Sequence, residues 1–376
     1  MHLAVLAETK RHEYRVGMTP GCVAIYAEHG HVVTVQAGAG LGAGFSDDDY
    51  RAAGARIAAD AASAASAAQM IVKVKEPQPA ELDLLRPGQV LFTYLHLAAL
   101  PELAQELARR RIDCIAYETI ATADGALPCL QPMSEIAGRL AVQEGAKYLE
   151  KPFGGRGVLL GGVPGIRRGK VVILGAGVVG TNAAKIATGI GAEVVVLDVN
   201  ARRLAYLDDS FGSRLTTLIS DPGRVRAALR EADVLIGAVL IPGARAPYLV
   251  RRADLALMKP GAVIVDVAID QGGCCETSQP TTHDAPTYLN DGIVHYCVTN
   301  MPGVVALSST EALTSRTRGY GLAIADRGLA GALATDPVLA HGANLIAGHC
   351  VHPGVAAACG LPRVALADAL AARSAE

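Results

Sequence analysis

The sequence lacks the features that mark several common classes of protein. Its net charge is −2 and it has no block of basic residues, which argues against a nucleic-acid or anionic-membrane partner. No apolar run is long enough to span a bilayer, and the first residues resemble a short strand rather than a signal peptide. Nucleophile elbows, Walker loops and HExxH motifs are missing as well. We therefore expect a cytoplasmic protein with no nucleic-acid or membrane partner.

Paired cysteine motifs are also absent. The eight cysteines are scattered with no CxxC or metal-ligand spacing, so we expect reduced, partly buried thiols and no bound metal. The chain is 51% hydrophobic and 19% charged, a composition that suits a large buried α/β core. Its 376 residues exceed what one core usually serves, and the length therefore predicts two domains.

A glycine-rich turn follows an apolar strand in the middle of the chain. The strand Lys170–Leu174 leads into Gly175, Gly177 and Gly180, the spacing of a turn that cradles a dinucleotide pyrophosphate. The first glycine permits the tight turn, the second lets the backbone approach the phosphates, and the third lets the next helix pack on the sheet. The N-terminal N–H groups of that helix attract the anion. This segment predicts a nicotinamide or flavin dinucleotide site.

An acidic residue stands at the tip of the next predicted strand. Asp198 follows the strand Glu193–Leu197, about where a ribose-binding acid lies in such units, roughly 20 residues after the glycines. A carboxylate there accepts hydrogen bonds from a free 2′-hydroxyl and repels a 2′-phosphate, which favours NAD over NADP. The neighbouring Arg202 and Arg203 leave NADP open. The alternative, a glycine turn in an unrelated α/β protein, is disfavoured by the complete strand, turn, helix and strand context.

The rest of the chain divides around this unit. Residues 1–128 alternate strand-like stretches with alanine-rich helices and lack phosphate-binding glycines, which predicts a second α/β domain. Residues 129–306 form the predicted dinucleotide-binding domain, and an amphipathic helix near Ser134 is expected to connect the two. Residues 307–376 have a helical pattern and are expected to return to the first domain. The predicted fold is two Rossmann-like α/β domains with a cleft between them, the second carrying the dinucleotide-binding parallel sheet.

Four polar residues, at or just beyond the ends of predicted strands, could bind a substrate or transfer protons. Arg15, in the loop after the first strand, could clamp a carboxylate, although such an arginine is often a solvated surface charge. Lys75 and Lys73 alternate with valines, so they either face inward and need an anionic partner or lie exposed on an edge strand. His96 ends an apolar strand and could transfer protons or be structural. Asp270 follows a strand where the nicotinamide end of a dinucleotide should lie, while Asp266 is expected to be structural.

Taken together, these segments resemble alanine dehydrogenase over nearly the whole chain. The resemblance rests on motifs in the family's order, namely Glu8–Lys10, Glu13–Val16, Lys73–Pro77, Tyr94–Ala98, Pro132–Glu135, Leu160–Gly165, Val265–Gly273 and Asn300–Gly303. It implies that Arg15 and Lys75 hold the substrate carboxylate, with Lys75 also polarising the carbonyl. It further implies that His96 and Asp270 form the proton-transfer pair, and that the enzyme converts L-alanine and NAD to pyruvate, ammonium and NADH.

The resemblance also implies a set of cofactor contacts and an assembly. The expected NAD-binding residues are Ser134, Gly175, Gly177, Val178, Val179, Gly180, Asp198, Arg203, Ser220, Val239, Leu240, Val267, Ala268, Ile269, Asp270, Val298, Thr299, Asn300 and Met301. The family implies a homohexamer. Gln279 stands where family members often carry arginine, and the match thins over residues 306–329, where Leu329 replaces a frequent tryptophan.

Two other functions remain possible from the sequence. The NAD-binding subunit of proton-translocating transhydrogenase resembles the same family, but it would have no amino-acid substrate. An inactive binding protein that kept the fold is the third possibility, because fold alone does not establish activity. His96 together with Asp270 favours a substrate-transforming site over both. The preferred 2-oxo acid stays open, because pyruvate and glyoxylate differ by one methyl group, worth about 1–3 kcal/mol in an apolar pocket.

Overall fold

The computed structural model describes residues 1–239 and 246–374, which divide into two compact units. Unit 1 comprises Met1–Met133 and Gly303–Glu376, and unit 2 comprises Ser134–Pro302. The predicted boundaries at 128/129 and 306/307 fall near these divisions but do not coincide with them. Within the described residues, no helix is both long enough and apolar enough to cross a bilayer.

The first part of unit 1 alternates strands and helices, as the sequence predicted. Its strands are β1 (His2–Val5), β2 (Val32–Gln36), β3 (Arg56–Ala58), β4 (Met70–Val72), β5 (Val90–Thr93) and β6 (Asp113–Ala116). Its helices are α1 (Pro20–Glu28), α2 (Asp47–Ala52), α3 (Ala61–Ala65) and α4 (Pro101–Arg109). The strands β4, β5 and β6 are buried along their full length, because helices cover a parallel sheet on both faces. The short strand β3 was not predicted.

Unit 2 repeats the same alternation. Its helices are α5 (Gln131–Tyr148), which begins in unit 1, α6 (Val178–Gly189), α7 (Ala201–Phe211) and α8 (Pro222–Glu231). Its strands are β7 (Lys170–Leu174), β8 (Glu193–Asp198), β9 (Thr216–Ile219), β10 (Val234–Gly237), β11 (Val263–Asp266), β12 (Thr287–Asn290) and β13 (Ile293–Tyr296). They form a sheet in the order β12-β13-β11-β10-β7-β8-β9, in which only β12 runs antiparallel to its neighbour. Unit 2 therefore carries the predicted parallel sheet of a Rossmann-like domain, extended by the antiparallel β12.

The returning segment differs from the prediction. It contains α9 (Ala306–Thr335), α10 (Pro337–His341), β14 (Ala343–Ile346), β15 (His349–Cys350), α11 (Pro353–Cys359) and α12 (Leu366–Ser374). The sequence predicted helices alone, and the two strands correct that prediction. They form a hairpin whose two turn residues, Ala347 and Gly348, both have positive φ, at 48° and 83°. This backbone suits a tight hairpin, but Ala-Gly lacks the Asn-Gly or Asp-Gly signature that would have predicted one.

The hairpin completes the sheet of unit 1. Within the described residues the strand order is β15-β14-β6-β5-β4-β1-β2-β3, parallel from β6 to β3 and antiparallel at β14 and β15. The strands β6, β5, β4 and β1 are therefore consecutive neighbours. Their carboxyl ends lie along one edge of the sheet, which is where ligands bind in folds of this type.

Candidate functional site

The three motif glycines of unit 2 are required for three different reasons. Gly175 has φ of 106°, and a Cβ there would lie 2.5 Å from the Ala238 carbonyl oxygen. A Cβ at Gly180 would lie 1.8 Å from the Gly175 carbonyl oxygen, so only glycine lets α6 pack this closely on the turn. A Cβ at Gly177 would meet no atom of residues 1–239 or 246–374 within 4 Å, so its outer face is open toward this part of the chain. An open glycine face above a closed turn fits a pyrophosphate that approaches the backbone.

The N-terminus of α6 lies directly at this open face. Gly177 is the N-cap residue, and no side chain in the described part of the chain caps the helix. The first N–H groups of a helix need hydrogen-bond acceptors, and together with the helix dipole they favour an anion. An uncapped helix of 12 residues beside an open glycine therefore fits the phosphates of a dinucleotide.

Asp198 ends β8 and faces the glycine turn. Its Oδ2 accepts a hydrogen bond from the Ala176 N–H at 2.5 Å, and its Oδ1 accepts one from the Asn200 N–H at 2.7 Å. The carboxylate thus holds the turn and the start of α7 in place. Each oxygen keeps a second lone pair, so the same carboxylate can also accept hydrogen bonds from ribose hydroxyls.

The other predicted cofactor residues of unit 2 follow the carboxyl ends of neighbouring strands. Ser220 follows β9, Val239 follows β10, the segment 267–270 follows β11, and the segment 298–301 follows β13. Because these strands are parallel, the segments lie along the same edge of the sheet as Gly175–Gly180. Arg203 is on α7, which follows β8. Leu240 lies outside the described residues.

Ser134 belongs to the same part of unit 2 through helix packing. It lies one turn before Gly138 on α5. A Cβ at Gly138 would lie 2.2 Å from the Val179 carbonyl oxygen, so α5 and α6 are in backbone contact there. Glycine at this position brings Ser134 to the helix that begins at the phosphate turn.

Asp266 and Asp270 have different environments. Asp266 is the last residue of β11 and is buried, and its carboxylate accepts hydrogen bonds from the Cys274 N–H at 2.9 Å and the Ser278 hydroxyl at 2.6 Å. Asp270 is exposed in a 3-10 turn, Val267–Gln271. The sequence predicted a strand that reaches Asp270, but the strand ends four residues earlier, at Asp266, because that carboxylate accepts the Ala268 N–H and turns the backbone. Asp266 has the structural role expected for it.

Asp266, Cys274 and Cys275 are the one group within the described residues whose ligand atoms could surround a metal ion, all within 4.8 Å of one another. Backbone N–H groups and the Ser278 hydroxyl already satisfy the Asp266 carboxylate. Burial raises the pKa of Asp266, and the pKa values of both thiols are raised as well, against the ionised form a metal needs. We therefore assign the group to the structure of the loop. All eight cysteines of the chain are free and buried.

Unit 1 collects charged side chains at the ends of β1 and β4. Lys73 is 1% exposed, and its Nζ lies 2.8 Å from a Glu81 oxygen and 3.4 Å from a Glu8 oxygen. Burial would lower the pKa of Lys73, but the two carboxylates outweigh it and raise that pKa. The strand β4 lies between β1 and β5, so the edge-strand alternative for these lysines is wrong. An inward lysine here has the anionic partners that its burial demands.

Lys75 is close to this cluster but has a free end. Its backbone N–H donates to Glu8 at 3.2 Å, whereas its Nζ makes no hydrogen bond or ion pair within residues 1–239 and 246–374. Burial lowers the pKa of Lys75, and the positive charges of Arg15 and Lys10 lower it further. A desolvated ammonium with no partner is suited to bind an anion or polarise a carbonyl.

Arg15 is buried and already holds an internal partner. Its Nε and Nη2 donate to the two Glu13 carboxylate oxygens at 2.6 and 2.5 Å, and its Nη1 lies 3.0 Å from the Met133 sulfur. Only 2% of Arg15 is exposed, so the alternative interpretation of this arginine as a solvated surface charge is wrong. A substrate carboxylate would have to use the guanidinium edge that faces away from Glu13.

His96 is held in an unusual backbone conformation at the end of β5. Its φ is 50° and its ψ 34°, a left-handed backbone geometry that residues other than glycine rarely adopt. The Glu118 carboxylate accepts hydrogen bonds from the His96 N–H at 2.6 Å and the Leu95 N–H at 3.2 Å. The imidazole is exposed and stacks on Tyr94 with ring centroids 5.9 Å apart. Desolvation by the surrounding protein lowers the pKa of His96, and the negative charge of Glu118 partly opposes this.

The predicted site residues are thus divided between the two units. Arg15, Lys75 and His96 follow β1, β4 and β5 in unit 1, whereas Asp270 and the cofactor residues from Ser134 onward belong to unit 2. The sequence did not identify Glu118. A signal existed, because this acid follows a predicted buried strand, at the end where parallel sheets bind ligands.

The family comparisons cover most of the chain. The model described as "Alanine dehydrogenase/PNT, N-terminal domain" matches residues 4–137, and that of the C-terminal domain matches residues 141–353. The alanine dehydrogenase of Halomonas elongata is 54% identical over 368 residues, which covers 98% of this chain and 99% of the relative.

Two solved structures resemble this chain to different degrees. A structure of L-alanine dehydrogenase is 53% identical, with a TM-score of 0.93, covering 95% of this chain and 99% of the other. A transhydrogenase structure from Sinorhizobium meliloti is 25% identical, with a TM-score of 0.79, covering 94% and 99%. The chain is therefore much more similar to the first structure than to the second, although the fold is shared by both.

Proposed function

This chain belongs to the alanine dehydrogenase/PNT family, and on that premise we propose that it is an NAD-dependent alanine dehydrogenase. It oxidises L-alanine to pyruvate and ammonium and catalyses the reverse reductive amination. The observation that carries the proposal is the identity of 54% to an alanine dehydrogenase over 98% of this chain. The cluster of charged residues at the carboxyl ends of β1, β4 and β5 supports it, because an amino acid needs charged partners.

The cofactor site supports a nicotinamide dinucleotide, and NAD is the form we propose. The turn Gly175–Gly180 and the N-terminus of α6 would hold the pyrophosphate, and Asp198 the adenosine ribose. The Asp198 carboxylate would repel a 2′-phosphate, which favours NAD. When bound, the dinucleotide supplies the hydride acceptor for the alanine Cα.

The residues of unit 1 would hold the substrate and move protons. Lys75 and Arg15 bind the substrate carboxylate, and the ammonium of Lys75 also polarises the carbonyl oxygen of pyruvate. The lowered pKa of His96 keeps its imidazole neutral near neutral pH, so it can accept a proton from the water that adds to the imine. It returns a proton to the departing ammonia when the carbinolamine collapses. Asp270 orients that water and stabilises developing positive charge.

The rival function is the NAD-binding subunit of a transhydrogenase. It is disfavoured because identity to the transhydrogenase structure is 25%, against 53% to the alanine dehydrogenase structure. A coupling subunit also needs no unpaired lysine to bind a substrate carboxylate, whereas Lys75 in this chain is such a lysine. The cytoplasmic location and the homohexamer stay predictions.

The test follows NADH oxidation optically with pyruvate and ammonium. Each component is omitted in turn, NADPH replaces NADH in one arm, and glyoxylate replaces pyruvate in another. We expect turnover that requires both pyruvate and ammonium and prefers NADH. Tight NADH binding without turnover would instead support the coupling subunit or an inactive binding protein.

A further inference from the structure

Glu76 has a buried carboxylate oxygen with no partner. The residue lies just beyond β4 and its side chain is 8% exposed. Its Oε1 lies 2.5 Å from the Lys10 Nζ, which makes an ion pair. Its Oε2 is inaccessible to water and accepts no hydrogen bond from any residue that the structure describes. A buried carboxylate oxygen left unpaired costs free energy, so such an atom calls for a ligand or a function.

Neighbouring buried carboxylates are not left in this state. Both oxygens of Glu8 accept backbone N–H groups, from Val74 at 2.6 Å and Lys75 at 3.2 Å. Both oxygens of Glu13 accept donors from Arg15. The fold therefore satisfies these two carboxylates and leaves this one buried oxygen of Glu76 unpaired.

The ion pair with Lys10 favours the ionised form of the Glu76 carboxylate. Burial would raise its pKa, but the hydrogen bond and charge of Lys10 outweigh burial, and the pKa of Glu76 is lowered. Its negative charge partly offsets the lowering of the pKa values of Lys75 and His96, which places all three groups in one electrostatic environment. The unpaired oxygen is thus an anionic acceptor close to the proposed substrate-binding and proton-transfer residues.

Two consecutive residues carry complementary free ends. The Lys75 Nζ has no partner within the described part of the chain, and neither has the Glu76 Oε2. Both residues lie beside the end of β5, since the Thr93 hydroxyl donates to the Lys75 carbonyl at 3.1 Å. An amino acid zwitterion has an ammonium group on the carbon next to its carboxylate. Lys75 and Glu76 would complement this pair of charges.

We propose that the Glu76 side chain turns toward the substrate when the substrate binds, and that its Oε2, enclosed by protein until then, accepts a hydrogen bond from the substrate amino group, that of L-alanine in one direction and ammonium in the other. Glu76 is then a substrate-binding residue that selects amino acids over carboxylic acids lacking the amine. The inference rests on the proposed alanine dehydrogenase activity. It assigns no bond-breaking step to Glu76, because His96 remains the group that moves protons.

The experiment compares Glu76→Gln with wild type in both directions. We expect the KM for ammonium to rise about 10- to 100-fold, because a charge-assisted hydrogen bond is lost, while the KM for pyruvate stays within about twofold. In the oxidative direction the KM for L-alanine rises. The inhibition constant of propionate, which is alanine without its amino group, stays unchanged.

Two further variants keep the test decisive. Lys10→Met removes the ion-pair partner but keeps the carboxylate, so its KM for ammonium should stay much closer to wild type. Glu76→Met, checked by thermal unfolding, serves if the glutamine variant does not fold. An inactive wild type would refute the proposed function itself. An active wild type with an unchanged KM for ammonium in Glu76→Gln, or an equal rise in Lys10→Met, would overturn the role of Glu76.

Discussion

The two units build their ligand-facing edges from different materials. Unit 2 uses backbone, with three glycines that have either no room for a side chain or an open face, and a helix whose N-terminus has no side-chain cap among the described residues. Unit 1 uses side chains, with lysines, glutamates and an arginine that are mostly withdrawn from water. Phosphate recognition in unit 2 therefore tolerates little change in main-chain shape, whereas amino-acid recognition in unit 1 depends on which charges are left unpaired.

The contrast within unit 1 between Lys73 and Lys75 gives the largest expected effect. Lys73→Met leaves Glu8 and Glu81 buried without their cation, so the free energy of unfolding should fall by about 3–5 kcal/mol. Lys75→Met removes a cation with no partner, so stability should stay unchanged or rise while turnover is lost. Thermal and denaturant unfolding measure the stability of each variant, and the NADH-oxidation assay measures its turnover. Equal destabilisation by both substitutions would contradict the division of roles.

The pH dependence of stability should follow the same division. The pKa of Lys73 is raised above its ordinary 10.5, so its stabilisation is complete below that value and is lost as pH rises through the higher folded-state pKa. The pKa of Lys75 is lowered, so protonation is costlier in the folded state; this cost is complete below the lowered pKa and is lost as pH rises from that pKa to the ordinary 10.5. Lys73→Met should therefore remove the loss of stability at high pH.

In unit 2, the next largest effect is expected from Gly180→Ala. The new Cβ would lie 1.8 Å from the Gly175 carbonyl oxygen, so α6 must move away from the turn. We expect a loss of about 1–3 kcal/mol in the free energy of unfolding and a large loss of NADH affinity. Gly189→Ala, at the other end of α6, meets no atom within 4 Å and is the matched control. Wild-type NADH affinity in Gly180→Ala would mean that the close approach is not needed.

Glu118→Gln tests a side chain of unit 1 that holds backbone in place. Glutamine has one acceptor oxygen and no charge, so it holds the left-handed His96 less firmly, and kcat should fall about tenfold. Without the negative charge the pKa of His96 falls further, so the acidic limb of the pH–rate profile for alanine oxidation should move to lower pH. Glu106→Gln, whose carboxylate only pairs with Arg109 and Arg110, should leave the profile unchanged.

The sequence predicted the unit 2 turn well because the turn is local. The residues Lys170–Gly180 and Asp198 set strand, turn and acid within one short segment, and each backbone requirement appears as a glycine. The family resemblance and the two Rossmann-like sheets were confirmed for the same reason, since they rest on many such segments.

The unit 1 cluster was harder to predict because it is assembled from distant residues. Lys73 meets Glu8 only because β1 and β4 are neighbours in the sheet, and Glu118 reaches His96 only because β6 lies beside β5. Alternation along one strand could not decide whether these lysines faced inward. The hairpin of β14 and β15 was missed because short buried apolar runs look alike in helices and strands, and its turn lacks a typical signature.

The smallest effect is expected where unit 2 depends on a side chain. Asp198 accepts the Ala176 and Asn200 N–H groups, one on each oxygen, and Asp198→Asn can keep only one of these bonds. The variant also loses an acceptor for the ribose and the charge that repels a 2′-phosphate. The Kd for NADH should rise about tenfold, and the preference for NADH over NADPH should narrow. Asp209→Asn, exposed on α7, controls for charge alone. Unchanged affinities for both dinucleotides would show that Asp198 only braces the turn, and that backbone alone recognises the cofactor.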